Sequence, residues 1–175
     1  MKTLTIDYND LMERCMMESA YISRDLATEE SDSTGGTNRE RVYADQYIGP
    51  FRRMRIRRSD YELIKTYIRE GAQLAEARVS PWMTIKPTYT TDTLTWEIGE
   101  EWADPREEDM PQEPTENIAS LTEHLLCAYV MSRWFRGKIP SAADWFQTAW
   151  SDFVSSLRQN LSCLRKPKKQ NYIRP

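Results

Sequence analysis

Apolar residues recur every three or four positions in four stretches of this 175-residue chain. In the first stretch, Tyr8, Leu11 and Cys15 begin a stripe that continues to Leu26. A period near 3.6 residues places such a stripe on one face of an α-helix. The pattern therefore predicts a helix over about residues 8–26. The following stretch, 28–41, has no apolar side chain and predicts a long polar loop.

The second stretch predicts a helix that is preceded by a basic arm. In "FRRMRIRR", residues 51–58, arginines alternate with Met54 and Ile56, which favours an extended arm or short strand. The next residues, "SDYE" at 59–62, match the Ser-x-x-Glu capping box of a helix start. An apolar stripe follows, and the helix is expected to end near Ser80 because Pro81 disfavours helical geometry in the residue before it.

Between this helix and the last third of the chain the periodicity changes. Residues 82–99, "WMTIKPTYTTDTLTWEIG", contain two β-rich runs around Thr91 and Asp92, which predicts a small hairpin. The acidic, proline-containing stretch that follows has no periodicity and predicts a second long loop.

Two further helices are predicted in the last third of the chain. Residues 117–135 carry a broad apolar face, and a second stripe runs from Ala143 to Leu164 before Pro167. The turn between them, residues 137–140, is short, so the two helices should pack antiparallel.

These patterns together predict a mainly α (α+β) fold, a helical bundle with long loops and a small β-hairpin. We expect one helical domain over residues 1–164, with extended loops at 28–58 and 97–116, and a basic C-terminal tail at 165–175. The chain is long enough for one domain with a real core and too short to favour two.

The charged residues are segregated into basic and acidic blocks along the chain, although the net charge is only -3. Seven arginines lie between residues 39 and 58, and nine acidic residues lie between 97 and 116. Residues 158–175 hold six basic residues and no acidic one. Such blocks usually lie on solvated surface, and complementary blocks on one chain also allow contacts between subunits.

Candidate chemistry for an enzyme is sparse, and we expect none. The one histidine, His124, has no neighbours that form a recognised ligand set or nucleophile pair, and the six glycines form no phosphate-binding signature. Cys15, Cys127 and Cys163 lie far apart in sequence, which favours buried free thiols and a reducing compartment. We therefore expect no cofactor, no metal, no membrane span and no signal peptide.

Two uses of the basic arm and tail remain open. Their arginines and lysines, interleaved with aromatic residues, fit a nucleic-acid-binding accessory protein. The same arginines could instead form ion pairs with carboxylates in the acidic loop of a neighbouring copy, a common role of arginine at interfaces. Trp134, Phe135 and Trp145 flank the turn between the last two helices, off the best apolar stripe, and could cover the helix ends or meet a partner. The candidate interface residues are Arg52, Arg53, Arg55, Arg57, Arg58, Glu100, Glu101, Asp104, Glu107, Glu108, Asp109, Trp134, Phe135, Trp145, Lys166, Lys168, Lys169 and Tyr172.

The layout of helices and aromatic positions resembles the head-tail connector (adaptor) proteins of tailed bacteriophages. The resemblance is carried by "ESAYISRDL" at 18–26, "RSDYELIKTYIREGAQL" at 58–74, "LLCAYVMSRWF" at 125–135 and "AADWFQTAWSDFVSSLRQNL" at 142–161. The long acidic loop and the basic arm depart from that layout, which leaves open an adaptor, a stopper or another neck component.

The resemblance implies a structural virion protein without catalytic residues. It implies a ring of about twelve copies at the neck of the virion, between the portal protein and a stopper or tail protein. Genome DNA would pass through the channel of the ring, with non-specific contacts at most. The protein would be made in the cytoplasm of the bacterial host.

Overall fold

The structure is a computed structural model, which describes residues 2–33, 54–80, 85–98 and 113–163. These residues form a mostly helical fold with one small antiparallel sheet, which confirms the predicted mainly α, α+β class. In chain order the elements are β1 (Lys2–Asp7), α1 (Tyr8–Ser33), α2 (Tyr61–Val79), β2 (Ile85–Tyr89), β3 (Thr93–Ile98), α3 (Glu113–Phe135) and α4 (Pro140–Cys163).

The sheet contains the predicted hairpin and one strand that the sequence pattern did not predict. Strands β2 and β3 pair as expected, and the backbone N–H of Thr90 donates to the carbonyl of Thr93, 2.9 Å away, at their turn. Strand β1 pairs with the other edge of β3, so the order is β1-β3-β2. Its apolar residues Leu4 and Ile6 are buried. The strand was not predicted because only six residues alternate there and because its partner strand lies about 90 positions later in the chain.

Helix α1 starts where β1 ends and is longer than predicted. The side chain of Asp7 accepts a hydrogen bond from the backbone N–H of Asn9 at 2.7 Å, as an N-terminal cap does. The helix continues to Ser33, so the start of the loop predicted at 28–41 is wrong. Polar residues do not by themselves end a helix. Glycine commonly does, and the first glycine of the segment is Gly35, two residues after Ser33.

Helix α2 ends at Val79, as predicted, but its start differs from the prediction. A short 3-10 turn, Arg58–Asp60, precedes Tyr61, and Asp60 rather than Ser59 is the N-cap residue. The side chain of Asp60 accepts a hydrogen bond from the backbone N–H of Arg57 at 2.8 Å. The predicted Ser-x-x-Glu capping box is therefore wrong, because Ser59 lies inside the 3-10 turn and the carboxylate-to-amide bond is made two residues earlier, between Asp60 and Arg57.

Helices α3 and α4 form the predicted antiparallel pair. Ring contacts show the direction: Tyr129 lies 5.7 Å from Trp150, and Phe135 lies 6.1 Å from Phe146. Helix α3 begins at Glu113, and residues 97–98 belong to β3, so the ends of the loop predicted at 97–116 are wrong. The loop's central residues, 99–112, lie outside the described part.

Helix α2 packs against α3 at a glycine. A Cβ atom placed on Gly71 would lie 2.7 Å from Cδ1 of Tyr129, well inside van der Waals contact. Close to this point, Arg133 of α3 binds Glu70 of α2 at 2.9 Å. The absence of a side chain at residue 71 therefore lets the two helices approach.

One apolar core joins all of these elements. Its largest fully buried side chains include Trp96 of β3, Tyr8 of α1, Ile64 of α2, Phe135 of α3 and Leu157 of α4. None of the helices that the structure describes is long and apolar enough to cross a membrane.

Candidate interaction surface

The basic arm is docked on the bundle in the part that the structure describes. Ile56 is 3% exposed, and its backbone N–H donates to Oγ of Ser19 on α1 at 2.9 Å. The carbonyl of Met54 accepts a hydrogen bond from Nε1 of Trp134 on α3 at 2.5 Å. Residues 54–57 therefore lie in irregular, anchored backbone, and the predicted strand does not extend over them.

The alternation of apolar and basic residues explains how the arm presents charge. With Ile56 directed into the core, Arg57 and Arg58 are exposed. A guanidinium nitrogen of Arg58 lies 3.9 Å from Oε1 of Glu13, and both side chains are largely solvated, so this pair contributes little. Arg55 is half-buried, and its Nε is buried without a hydrogen-bond partner among the described residues.

The turn between α3 and α4 adds a second source of positive charge beside the arm. Nζ of Lys138 lies 3.0 Å from the ring centroid of Trp134, the same residue that holds Met54. Burial lowers the pKa of Lys138, and the negative charge of Asp60 opposes that shift. A lysine above an indole face is a favourable cation–π arrangement. The arm, the start of α2 and this turn therefore meet at one end of the bundle.

The three aromatic residues predicted for this end have different roles. Trp145 is 64% exposed and lies edge-on to Phe146 at 4.7 Å. Trp134 is half-buried beneath the arm. Phe135 is fully buried and stacked on Phe146, so its expected place in an interface is wrong. As the last residue of α3, it closes the core beneath the turn.

We call the exposed side chains at this end the basic end surface, defined by Arg57, Arg58, Lys138 and Trp145. It includes Arg57, Arg58 and Trp145 from the predicted set and also Lys138, which was not in that set. The signal for Lys138 was its position in a short turn after Trp134. The remaining predicted residues that the structure does not describe are Arg52, Arg53, Glu100, Glu101, Asp104, Glu107, Glu108, Asp109, Lys166, Lys168, Lys169 and Tyr172.

A shallow groove of about 460 Å³ lies between α3 and α4, near the start of α3 and the end of α4. His124 lines it beside Phe153, and the two rings are 5.7 Å apart. Arg14 of α1 lies 3.1 Å from Nε2 of His124, and Nδ1 lies 2.6 Å from the carbonyl of Ser120. Because arginine can only donate, the proton of the neutral ring is on Nδ1. Both ring nitrogens are thus engaged within the fold.

A half-buried carboxylate joins α2 to the sheet. Oε1 of Glu76 accepts hydrogen bonds from the hydroxyl of Tyr89 at 2.7 Å and from Nε1 of Trp96 at 2.5 Å. Burial raises the pKa of Glu76, and these two donors oppose the shift. Burial and the neighbouring Glu76 also raise the pKa of Tyr89. The three side chains serve as a polar clamp between two layers of the fold.

Within the part of the chain that the structure describes, no group of three histidine, cysteine, aspartate or glutamate residues is placed to hold a metal ion. The chain matches no family model, no curated protein and no solved structure.

Proposed function

We propose that this protein is a structural virion component, a head-tail connector (adaptor) that forms a ring between the portal and the tail. The observation that carries the proposal is the basic end surface. The arm that carries exposed Arg57 and Arg58 and the turn that carries Lys138 both contact Trp134 there. Exposed Trp145 lies against Phe146, which stacks on Phe135 at the same end of the helix pair. Tryptophan and arginine are enriched where proteins bind each other. The choice of a head-tail connector ring, among other protein assemblies, comes from the resemblance in helix layout.

A ring requires two different complementary surfaces on each copy. The basic end surface lies at the end of α3 that contains Phe135. At the other end, Glu113 follows an acidic stretch, residues 99–112, with six acidic residues and one arginine. A helix rises about 1.5 Å per residue, so the two ends of α3 are about 33 Å apart. Opposite charges in these two segments of the chain favour contact between copies, and a closed ring would repeat that contact, about twelve times by the resemblance.

The decisive experiment is electron microscopy of virus particles that carry a gold-labelled tag on this protein. Gold at the neck, between head and tail, would support the connector proposal. Gold elsewhere on the particle, or particles without gold, would overturn it. Particles are the better sample because a ring that assembles on a portal can remain monomeric in solution.

A second candidate function is nucleic-acid binding through the same surface. The convergence of Arg57 and Arg58 with Lys138 favours it, whereas nearby Glu13 and Asp60 reduce the local charge. Duplex DNA binding by the monomer would weaken steeply with salt, because phosphate contacts release counterions. Loss of that binding in an Arg57→Glu, Arg58→Glu variant would favour this function, and no binding at low salt would remove it.

A further inference from the structure

Two cysteines that are 112 positions apart in the sequence lie side by side in the core. Sγ of Cys15, on α1, is 3.3 Å from Sγ of Cys127, on α3. Both residues are free thiols, 0% and 2% exposed. The sequence prediction of buried free thiols is confirmed for this pair. Although the two residues are far apart in sequence, their sulfur atoms are neighbours in the fold.

The sulfur atoms are close to the distance at which they can bond. A disulfide joins two sulfurs at about 2.05 Å, so the pair would approach by little more than 1 Å. The thiols belong to two neighbouring helices, each of which has other contacts to the core. The Sγ–Sγ separation therefore calls for a movement that is small compared with the spacing of the two helices.

We propose that Cys15 and Cys127 form an intramolecular disulfide that locks α1 to α3 when the protein is exposed to a small-molecule disulfide such as oxidised glutathione. In the first step, the thiolate of one cysteine attacks the oxidant, forms a mixed disulfide and releases one reduced glutathione. The second cysteine then loses its proton, attacks the mixed disulfide and releases another. The protein gives up two protons and two electrons, and the oxidant is reduced to two thiols.

The surroundings of the pair make the reduced form slow to react. The hydrogen bond with Cys15 and burial raise the pKa of Cys127 well above its ordinary value. Because the thiolate is the attacking species, exchange in the folded protein is slow and is faster during folding, before the core closes. The pair is thus stable as thiols in a reducing compartment and forms a bond in an oxidising one.

The bond would act on the docked arm. Ser19, one turn after Cys15, holds the amide of Ile56, and Trp134, two turns after Cys127, holds the carbonyl of Met54. A covalent link between α1 and α3 therefore fixes the spacing of the two helices on which the arm rests. This inference concerns the protomer and does not depend on the connector proposal.

The test is refolding of the full chain from denaturant in glutathione buffers of increasing oxidised fraction. We expect a peptide linked through Cys15 and Cys127 in digests of the monomer, with the loss of two hydrogen masses, reversed by a reductant. The melting temperature of the oxidised form should be higher by about 5–10 °C, since the bond restricts a long loop in the unfolded chain. Refolding lets the pair react before burial, so a negative result cannot come from lack of access.

Cys163→Ser is the matched control, because it removes a cysteine but leaves the pair. This variant should form the same linked peptide, and Cys15→Ala and Cys127→Ala should not. Reduced Cys15 and Cys127 in the most oxidising buffer would overturn the proposal. So would disulfides that contain Cys163 in place of the pair, or a lower melting temperature of the oxidised form.

Discussion

At the scale of single residues, Glu76 shows how the fold holds a half-buried carboxyl group between a helix and the sheet. Tyr89 and Trp96 both donate to the same oxygen, and burial raises the pKa of Glu76. A carboxyl group with a raised pKa in the folded state stabilises the fold most fully below its unfolded pKa. That contribution is lost as the pH rises through the folded pKa.

We predict that Glu76→Gln changes the pH dependence of stability. Glutamine keeps an oxygen for both donors but cannot ionise, so the variant should gain stability relative to the native protein as the pH rises from about 4 to about 7. Urea unfolding of both proteins across this range measures the difference, in which the other titrating groups largely cancel. A constant difference, or one with the opposite sign, would contradict the role given to Glu76.

Tyr89→Phe provides a second comparison in the same experiment. It removes one donor to the ionised carboxylate and should raise the pKa of Glu76 further. The pH-dependent difference between Tyr89→Phe and the Tyr89→Phe, Glu76→Gln double variant should therefore extend to higher pH.

At the scale of elements, the described part of the arm is attached to the bundle by two hydrogen bonds and by the apolar side chains of Met54 and Ile56. The bond from the amide of Ile56 to Ser19 is buried, and Ser19 also donates to the carbonyl of Met16 at 3.0 Å. A serine in the middle of an apolar helical stripe thus serves as the docking point for a different segment.

We predict that Ser19→Ala destabilises the protein by about 1–3 kcal/mol, because it leaves the buried amide of Ile56 without a partner. Hydrogen exchange at the Ile56 amide should become much faster, while amides in the middle of α4 keep their protection. Ser155→Ala is the matched control, since its hydroxyl donates to the carbonyl of Ser151 on an exposed face of α4. It should change stability by no more than about 0.5 kcal/mol. Equal effects of the two variants would show that Ser19 does not hold the arm.

At the scale of the whole molecule, the basic end surface and the acidic sequence belong to different parts of the chain. The arm and the turn of the basic end surface meet at Trp134, near the end of α3, whereas the acidic sequence 99–112 precedes Glu113, where α3 begins. The proposed ring would pair these two charged segments between neighbouring copies.

We predict that Arg58→Glu lowers incorporation of the protein into particles without unfolding it. Arg58 is highly exposed, and its contact with Glu13 is long, so the fold should lose less than about 0.5 kcal/mol. Lys86→Glu, on exposed strand β2, is a control with the same change in charge. Quantitative blotting of purified particles, with circular dichroism of each variant, gives both readouts. Normal incorporation of Arg58→Glu, or equal losses for both variants, would contradict charge pairing at the basic end surface.

How far the sequence predicted the surface depends on the kind of residue. Arg57 and Arg58 were predicted because charge blocks are visible in the sequence, and Trp145 because it lies off the apolar stripe. Phe135 was misassigned since, at the last position of a helix, periodicity does not distinguish the core from a partner. Lys138 was missed because its importance comes from the ring of Trp134 beneath it.

The sequence by itself determined the helices, the hairpin and the segregation of charge, because helical period, β-rich runs and turn residues act over a few neighbouring positions. Only the tertiary structure decided that β1 pairs with β3, that Cys15 meets Cys127 and that the arm rests on Ser19 and Trp134. Each of these contacts joins residues at least 37 positions apart. They form when the apolar faces of the elements are buried together, and the spacing of residues along the chain carries no direct record of that packing.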